Sequence, residues 1–511
     1  MTDAAPPRPD GRPVVAVVGG GIAGLAVAWE LVTAPGAGPA PVVHVLEAGS
    51  RVGGKLRAAE FAGSSVDLAA DAFLARRPEA TGLCRELGLD DELVPVGASG
   101  AALWVRGRLR SMPDGLQLGI PTRWLPLARS GILSPGGALR AGLDLVRPHA
   151  PDPDGAGDRS VGEIVSRRLG RQVAERLADP LIGGIHAGSA DGLSAAATFP
   201  VLLAADRQRG SLMRRLGRPP TPAQQPPAPP DGAAPPPPMF WSLDGGTARL
   251  AAELADALVA RGATVHTGVA VESLDRGRRG GPTWEISLAG NQDVPGARDR
   301  ADGGSVLTVD GAVLAVPGGQ AAGLLAPHAP VAAGLLGSLA YASVAVITLA
   351  LRSGAVRAPM VGTGFLVPRT SEVLGRRALV TGCTYLSRKW PHLARPGDEL
   401  VRLSVGRFGD TRPDELSDDE LVRAATTELD AIVGVDGEPE AALVTRWDGA
   451  FPQYPAGHLE RVARILEDVT ALGGLSVAGA AYHGVGIPAC VGSGRSAARD
   501  VLRTMPAAPV R

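Results

Sequence analysis

PVVAVVGGGIAGLAVAWELV, residues 13–32, opens with β-branched and small apolar residues, turns through three glycines and continues in a small-residue helical pattern. That order predicts a buried strand, a tight turn and a helix. The turn contains Gly19-x-Gly21-x-x-Gly24. The first glycine permits the turn, the second lets a pyrophosphate approach the backbone, and the third lets helix and strand pack closely. The helix N-terminus then offers free N–H groups and the positive end of its dipole to phosphate. A lone GxGxxG is weak evidence. Here a second strand, VVHVLE at 42–47, follows and ends in Glu47. An acid about 20 residues past the motif can accept hydrogen bonds from a ribose. The unit reads as a dinucleotide-binding βαβ, with the dinucleotide itself open.

The next residues narrow it. EAGSRVGGKL, residues 47–56, places Gly53 and Gly54 just beyond the ribose acid. A chain without side chains can pass close beside an extended dinucleotide there. Arg51 and Lys55 can face phosphate. The E-x(3)-R-x-GG pattern resembles the flavoprotein amine-oxidase superfamily, which implies bound FAD. Contacts to it are expected from Gly19, Gly20, Gly21, Ile22, Ala23 and Gly24, and from Glu47, Ala48, Arg51, Gly53, Gly54 and Lys55.

Further along, VDLAADAFLARRPEATGLCRELGL (66–89) resembles the E-x-G-P-D-S-F-L-x-R-K segment of flavin-dependent porphyrinogen oxidases. MPDGLQLGIPT (112–122), DPLIGGIHAGSADGLSAAATFP (179–200), TGFLVPR (363–369), TYLSRKWPH (384–392), TRWDGAFPQYPAGH (445–458) and GAAYHGVGIPAC (479–490) follow in the order of that family. The resemblance runs from Val14 to Ala498. It is to the oxygen-dependent protoporphyrinogen/coproporphyrinogen oxidase family, whose bacterial coproporphyrinogen III oxidases look most similar. It implies six-electron oxidation of a porphyrinogen during haem synthesis, with FAD taking hydride equivalents and O2 reoxidising it to give H2O2. A downstream ferrochelatase is an implied partner. Two departures stand out: the family's G-P-D-S is Ala69-Ala70-Asp71-Ala72 here, and its GIPD is Gly486-Ile487-Pro488-Ala489.

By the same resemblance, Ala69, Ala70, Asp71 and Ala72 pass beside the flavin, Val271 meets the adenine through its backbone, and Trp447 packs near the ring. Gly479, Gly486, Ile487 and Pro488 form a second glycine turn against the isoalloxazine. A helix from about Cys490 aims its N–H groups at the ring's pyrimidine end. Arg76, Arg77 and Lys389 are expected to guide substrate propionates, since a guanidinium can hold a carboxylate bidentately. Each of them reads equally as a solvated surface charge. No catalytic residue is assigned, because the flavin carries the redox chemistry. His186 reads as a pocket-wall or structural residue, and His458 as either structural or acid/base. The sequence holds no catalytic triad, metal-ligand cluster or paired carboxylates.

The bulk numbers agree with this class. A chain of 511 residues exceeds one core and suggests two or three lobes. With 45% hydrophobic residues and a net charge of −1, it reads as soluble and globular, with no basic patch for nucleic acid. Three scattered cysteines form no CxxC, which points to a reducing compartment. No run approaches the roughly 20 apolar residues of a membrane span. A cytoplasmic location is expected, with membrane contact at most peripheral.

The expected fold is α/β. A discontinuous FAD-binding Rossmann-like domain (13–94, 243–325 and 465–505) joins a helical lobe (95–215) and a mixed-sheet substrate domain (326–464). Residues 1–12 are expected to be disordered, and 216–240 to form a proline-rich loop. Helices are predicted over 80–94, 160–181 (with Ser160 and Glu163 as a capping box) and 417–434, in a chain that alternates α and β throughout. Protoporphyrinogen IX oxidation is the alternative reading. A non-catalytic flavin- or porphyrin-binding partner in haem assembly is a third. An amine or carotenoid oxidase would lack the GIPT and KWPH-like segments.

Overall fold

The structure is a computed structural model that describes residues 11–34, 40–147, 157–218, 238–277, 283–290, 293–300 and 303–505. Nearly all of 1–12 and of the proline-rich loop lies outside these residues.

Val14–Val18 is an almost wholly buried strand, as suits the centre of a parallel sheet. It pairs with Val42–Glu47 on one side and Gly311–Leu314 on the other. Thr264–Thr267 and Leu475–Val477 complete a five-stranded parallel sheet drawn from distant parts of the chain. Chain order reverses at Val14–Val18, and ligands of such sheets bind outside the strands' carboxyl ends at that reversal. The helices Ile22–Thr33 and Ile487–Thr504 pack together on one face. They can do so because residue 494 is glycine: a Cβ there would lie 2.3 Å from the carbonyl oxygen of Ala23. The other face is covered by helices Gly318–Leu325, Pro330–Gly337 and His458–Thr470 and by a four-stranded antiparallel sheet.

Val271 opens this second sheet: it lies past the strand Thr264–Thr267 and begins a separate strand, Val271–Arg276. The chain leaves the parallel sheet at Gly268, which has φ 74° and donates to the Gly49 carbonyl.

A seven-stranded sheet, mostly antiparallel, forms the other large layer, in the order 441–452, 341–352, 398–405, 380–385, 364–366, 102–105 and 108–111. Its last two strands lie in the segment expected to form the helical lobe, 95–215. Period-two alternation divides its faces. Val401, Leu403 and Val405 pack under the helix Asp418–Val433, so Arg402 and Ser404 face away from it. Ser417 and Glu420 cap that helix reciprocally.

Between Trp124 and Leu216 the described residues form helices and no strand, as a helical lobe requires, so the alternation of α and β expected along the whole chain is interrupted there. The helix expected over 160–181 is also divided. Val161–Leu169 stops at Gly170, whose φ of 97° leaves the helical region, and a short turn and a π-helical segment lead into Asp179–His186. Ser160 accepts from the Glu163 N–H at 3.1 Å, but the glutamate side chain pairs with Arg159, so the capping box is half made. The helix expected over 80–94 is Pro78–Glu86, closed by Gly88 at φ 73°. Among the described residues no helix is long and apolar enough to cross a membrane.

Candidate active site

At the end of Val14–Val18 the glycines divide their tasks. Gly19 has φ 104° and donates to Leu46 at 2.8 Å. A Cβ on Gly24 would fall 1.9 Å from the Gly19 oxygen, so that glycine is demanded by packing. A Cβ on Gly21 would meet nothing within 4 Å, so that position is open. Ile22 and Ala23 lie buried in the first helical turn behind it. Glu47 accepts from Gly20 N and Gly49 N, each at 2.7 Å, through different oxygens. Each oxygen keeps a lone pair for a ribose hydroxyl. Ala48 is exposed beside it. Gly53 donates to the Gly20 carbonyl at 2.8 Å, and Gly54 comes so close that its Cβ would lie 3.2 Å from Gly21 Cα. The open space above Gly21, the helix N-terminus and the spare lone pairs of Glu47 together fit a dinucleotide. Arg51 behaves differently from expectation. Its guanidinium donates to the carbonyls of Val52 and Gly54, both at 2.9 Å, and so shapes the loop. Lys55 is exposed to solvent.

The second glycine turn lies beyond Leu475–Val477. Gly479 has φ 125° and open space on its Cβ side, and its N–H donates to Ser493 Oγ at 3.1 Å. The final helix begins at Ile487, with Gly486 as N-cap and Pro488 in its first turn, three residues earlier than expected. Tyr454 OH donates to the Ala480 carbonyl, and His458 Nε2 bonds the Tyr482 carbonyl at 2.9 Å. The turn is thus held from behind.

Beside the second turn lies a cavity of about 450 Å³. Its walls are Ala69–Ala72, the end of the helix Asp179–His186, the outer face of the seven-stranded sheet, and Val485–Gly486. Val344, Val346, Phe451 and Trp447 give it an apolar floor, and the Trp447 indole is fixed by a 3.1 Å bond to the Leu68 carbonyl. Asp71 sits in the wall between two cations: Lys389 Nζ is 2.8 Å away and Arg402 3.4 Å, with Trp390 Nε1 donating at 3.1 Å. Burial alone would push this carboxyl up. The charges of Lys389 and Arg402 and the bonds from Lys389 and Trp390 outweigh it and hold the carboxyl at about 2. Arg402 also donates to the carbonyls of Asp67 and Ala69.

The cations expected around the substrate are therefore sorted anew. Lys389 lines the cavity but is committed to Asp71. Arg76 and Arg77 are exposed and do not line it, because Arg77 is the N-cap of Pro78–Glu86 and the chain there turns to solvent. Arg402 and Arg407 do line it and were missed. The signal was present in ELVRLSVGRFG (399–409), where one arginine alternates with buried Val401 and Leu403. His186 is buried, and burial lowers its imidazole to about 4, so it is neutral near pH 7. His458 is wholly buried, stacked on Tyr454 at 4.2 Å. Neither lines the cavity.

Comparison with known proteins follows the same lines. Residues 22–502 match the model of the flavin containing amine oxidoreductases. The chain is 36% identical over 540 residues to the coproporphyrinogen III oxidase of Propionibacterium freudenreichii subsp. freudenreichii, covering 100% of this chain and 95% of that one. It is 32% identical over 495 residues to the coproporphyrinogen III oxidase of Bacillus subtilis, covering 96% and 98%. A crystal structure from Exiguobacterium sp. 255-15, whose protein carries the provisional name protoporphyrinogen oxidase, superposes with TM-score 0.79 at 28% identity, covering 96% of this chain and 98% of that one.

Proposed function

The chain belongs to the flavin containing amine oxidoreductase family, and from that premise we propose that it oxidises coproporphyrinogen III to coproporphyrin III in haem synthesis, with FAD as cofactor. The observation that carries this reading is the cavity: an apolar floor with cations in its walls, bordered by the second glycine turn. A flat tetrapyrrole bearing carboxylates matches that combination, and full-length relatives are named for this substrate. FAD, when bound, supplies the oxidant, taking hydride equivalents that O2 then removes as H2O2.

The chain's own residues bind, orient and exclude water. Gly21 and the first helix N-terminus would hold the phosphates, and Glu47 the ribose. The N-terminus of Ile487–Thr504 would offer a positive dipole end to the negative charge of the reduced ring. Trp447 and Phe451 keep water from the apolar floor. Asp71, Lys389 and Arg402 hold a net positive charge in the wall. Neither His186 nor His458 lines the cavity, so pyrrole nitrogens and solvent carry the protons. If replacing either histidine abolished flavin reduction while sparing substrate binding, that step would be wrong. We place the enzyme in the cytoplasm, handing its product to a ferrochelatase.

Protoporphyrinogen IX oxidation is the second reading, favoured by the Exiguobacterium structure. Anaerobic reduction of the bound flavin by each porphyrinogen separates the two. Faster bleaching by coproporphyrinogen III supports the proposal, and faster bleaching by protoporphyrinogen IX overturns it. A protein that binds porphyrin but is reduced by neither is the non-catalytic partner.

A further inference from the structure

The cations around the cavity differ in whether their charge is already matched. Lys389 and Arg402 share Asp71. Arg369 donates to the Gly188 carbonyl at 3.0 Å and lies 4.0 Å from Asp179. Among the described residues the Arg407 guanidinium makes one hydrogen bond, to the Val367 carbonyl at 3.5 Å. A guanidinium carries five N–H donors, so most of this one's donors are unused. Among the described residues no carboxylate lies within 4 Å of Arg407. Asp410 is held by Arg412 through bonds of 2.8 and 2.7 Å, and Asp179 by Ala190 N at 2.8 Å and Ser189 Oγ at 3.1 Å.

Its placement is built. Arg407 follows the strand Asp398–Val405, where Gly406 bends the chain at φ 88°. A Cβ at Gly406 would lie 3.0 Å from the Ser343 oxygen, so the bend needs glycine. Phe408 N then bonds the Ala187 carbonyl at 2.6 Å and ties the bend to the opposite wall. The guanidinium is half-buried, and burial followed by the like charge of Arg369 lowers it to about 10, so it is still a cation at neutral pH. Asp179 and Asp410 offset part of this charge from beyond ion-pair distance; a desolvated cation with no carboxylate against it is still costly, and a bidentate carboxylate relieves that cost.

Resting on the tetrapyrrole reading above, we propose that Arg407 is the side chain that receives a carboxylate arm of the substrate, whereas Lys389 and Arg402 serve the wall itself. The test uses flavin-loaded protein and two probes, coproporphyrin III and its tetramethyl ester, which keeps the macrocycle and loses the charges. Arg407→Gln should weaken free-acid binding about tenfold or more, the scale of a charge-assisted bond, and leave ester binding unchanged. In turnover it should raise KM more than it lowers kcat. Arg407→Lys, which keeps the charge without the planar fork, should recover part of the affinity, and it carries the test if the glutamine variant does not retain flavin. Wild type that binds acid and ester equally, or a glutamine variant that binds the acid as wild type does, overturns the assignment. If the wild type binds the acid through Arg407 but does not oxidise coproporphyrinogen, the anchor stands and the proposed reaction falls.

Discussion

Gly21 and Gly24 stand three residues apart and carry different constraints. Gly24→Ala forces a Cβ to 1.9 Å from the Gly19 oxygen, an overpacking that should cost about 1–3 kcal/mol or more in urea unfolding. Gly21 has φ −69° and ψ 171°, which alanine adopts freely, and open space beside it. Gly21→Ala should therefore change stability by less than about 0.5 kcal/mol, yet purify with little flavin because the methyl occupies the phosphate's approach. Full flavin content in Gly21→Ala would show that the dinucleotide lies elsewhere. Asp71 makes the complementary point about charge. Asp71→Asn leaves Lys389 and Arg402 facing each other without an anion, which should cost about 3 kcal/mol, since breaking a buried ion cluster leaves uncompensated charge. Adding Lys389→Met should return part of that loss. Strictly additive effects in the double-mutant cycle would mean that the two side chains do not couple.

At the scale of elements, the segment PQYPAGH (452–458) joins the two halves of the site without lining up as a catalytic motif. Gln453 Nε2 donates to the His186 carbonyl at 2.9 Å, at the end of the cavity-wall helix. Tyr454 and His458 bond carbonyls of the second glycine turn. Tyr454→Phe removes one of these bonds and should lower stability by only about 1 kcal/mol, while flavin dissociates measurably faster. Unchanged flavin release would mean that the turn stands without its brace. The glycine turns were legible in the sequence because a turn's need for glycine is local. Trp447 was legible only through resemblance. The break at Gly170 was not, because apolar spacing continues across it and only φ reveals the stop. Arg402 and Arg407 escaped because strand alternation shows that two faces differ, not which face borders a cavity. Arg76 and Arg77 misled for the converse reason: their neighbourhood in sequence is the flavin segment, but a helix cap turns them outward.

Over the whole molecule, the parallel sheet gathers strands from three distant regions, and their joint edge is what the local motifs could not display. Val14 N, for example, bonds Asp310 Oδ2 at 2.7 Å, a contact that exists only once the sheet has assembled. Assembly also buries groups that titrate, and this makes stability depend on pH. Burial, helped by the charge of His266, lowers His44 from 6.5 to about 4, and burial lowers His186 by the same amount. Both are neutral in the fold, so their contribution is complete above pH 6.5 and is lost as pH falls toward 4, because the unfolded chain then binds more protons. Asp67 acts oppositely. Burial raises it from 3.8 to about 6 against hydrogen bonds from Thr247 and Ala248, so acidification from pH 6 to 4 relieves a cost. Each group is worth roughly 3 kcal/mol. These two histidines and the carboxyl together contribute a loss of roughly 3 kcal/mol on acidification from pH 6.5 to 4, and His266, His392, His458 and His483, all lowered by burial, act in the same direction. Asp71, held near 2, begins to add to the loss only below about pH 4, where the unfolded carboxyl starts to protonate. Urea unfolding across this range should show the decline. His186→Tyr should flatten it by removing one histidine, and Asp67→Asn should steepen it by removing the opposing carboxyl. A wild-type curve that is level from pH 6.5 to 4, or an asparagine variant with a shallower slope, would show that these buried groups do not govern the acid limb.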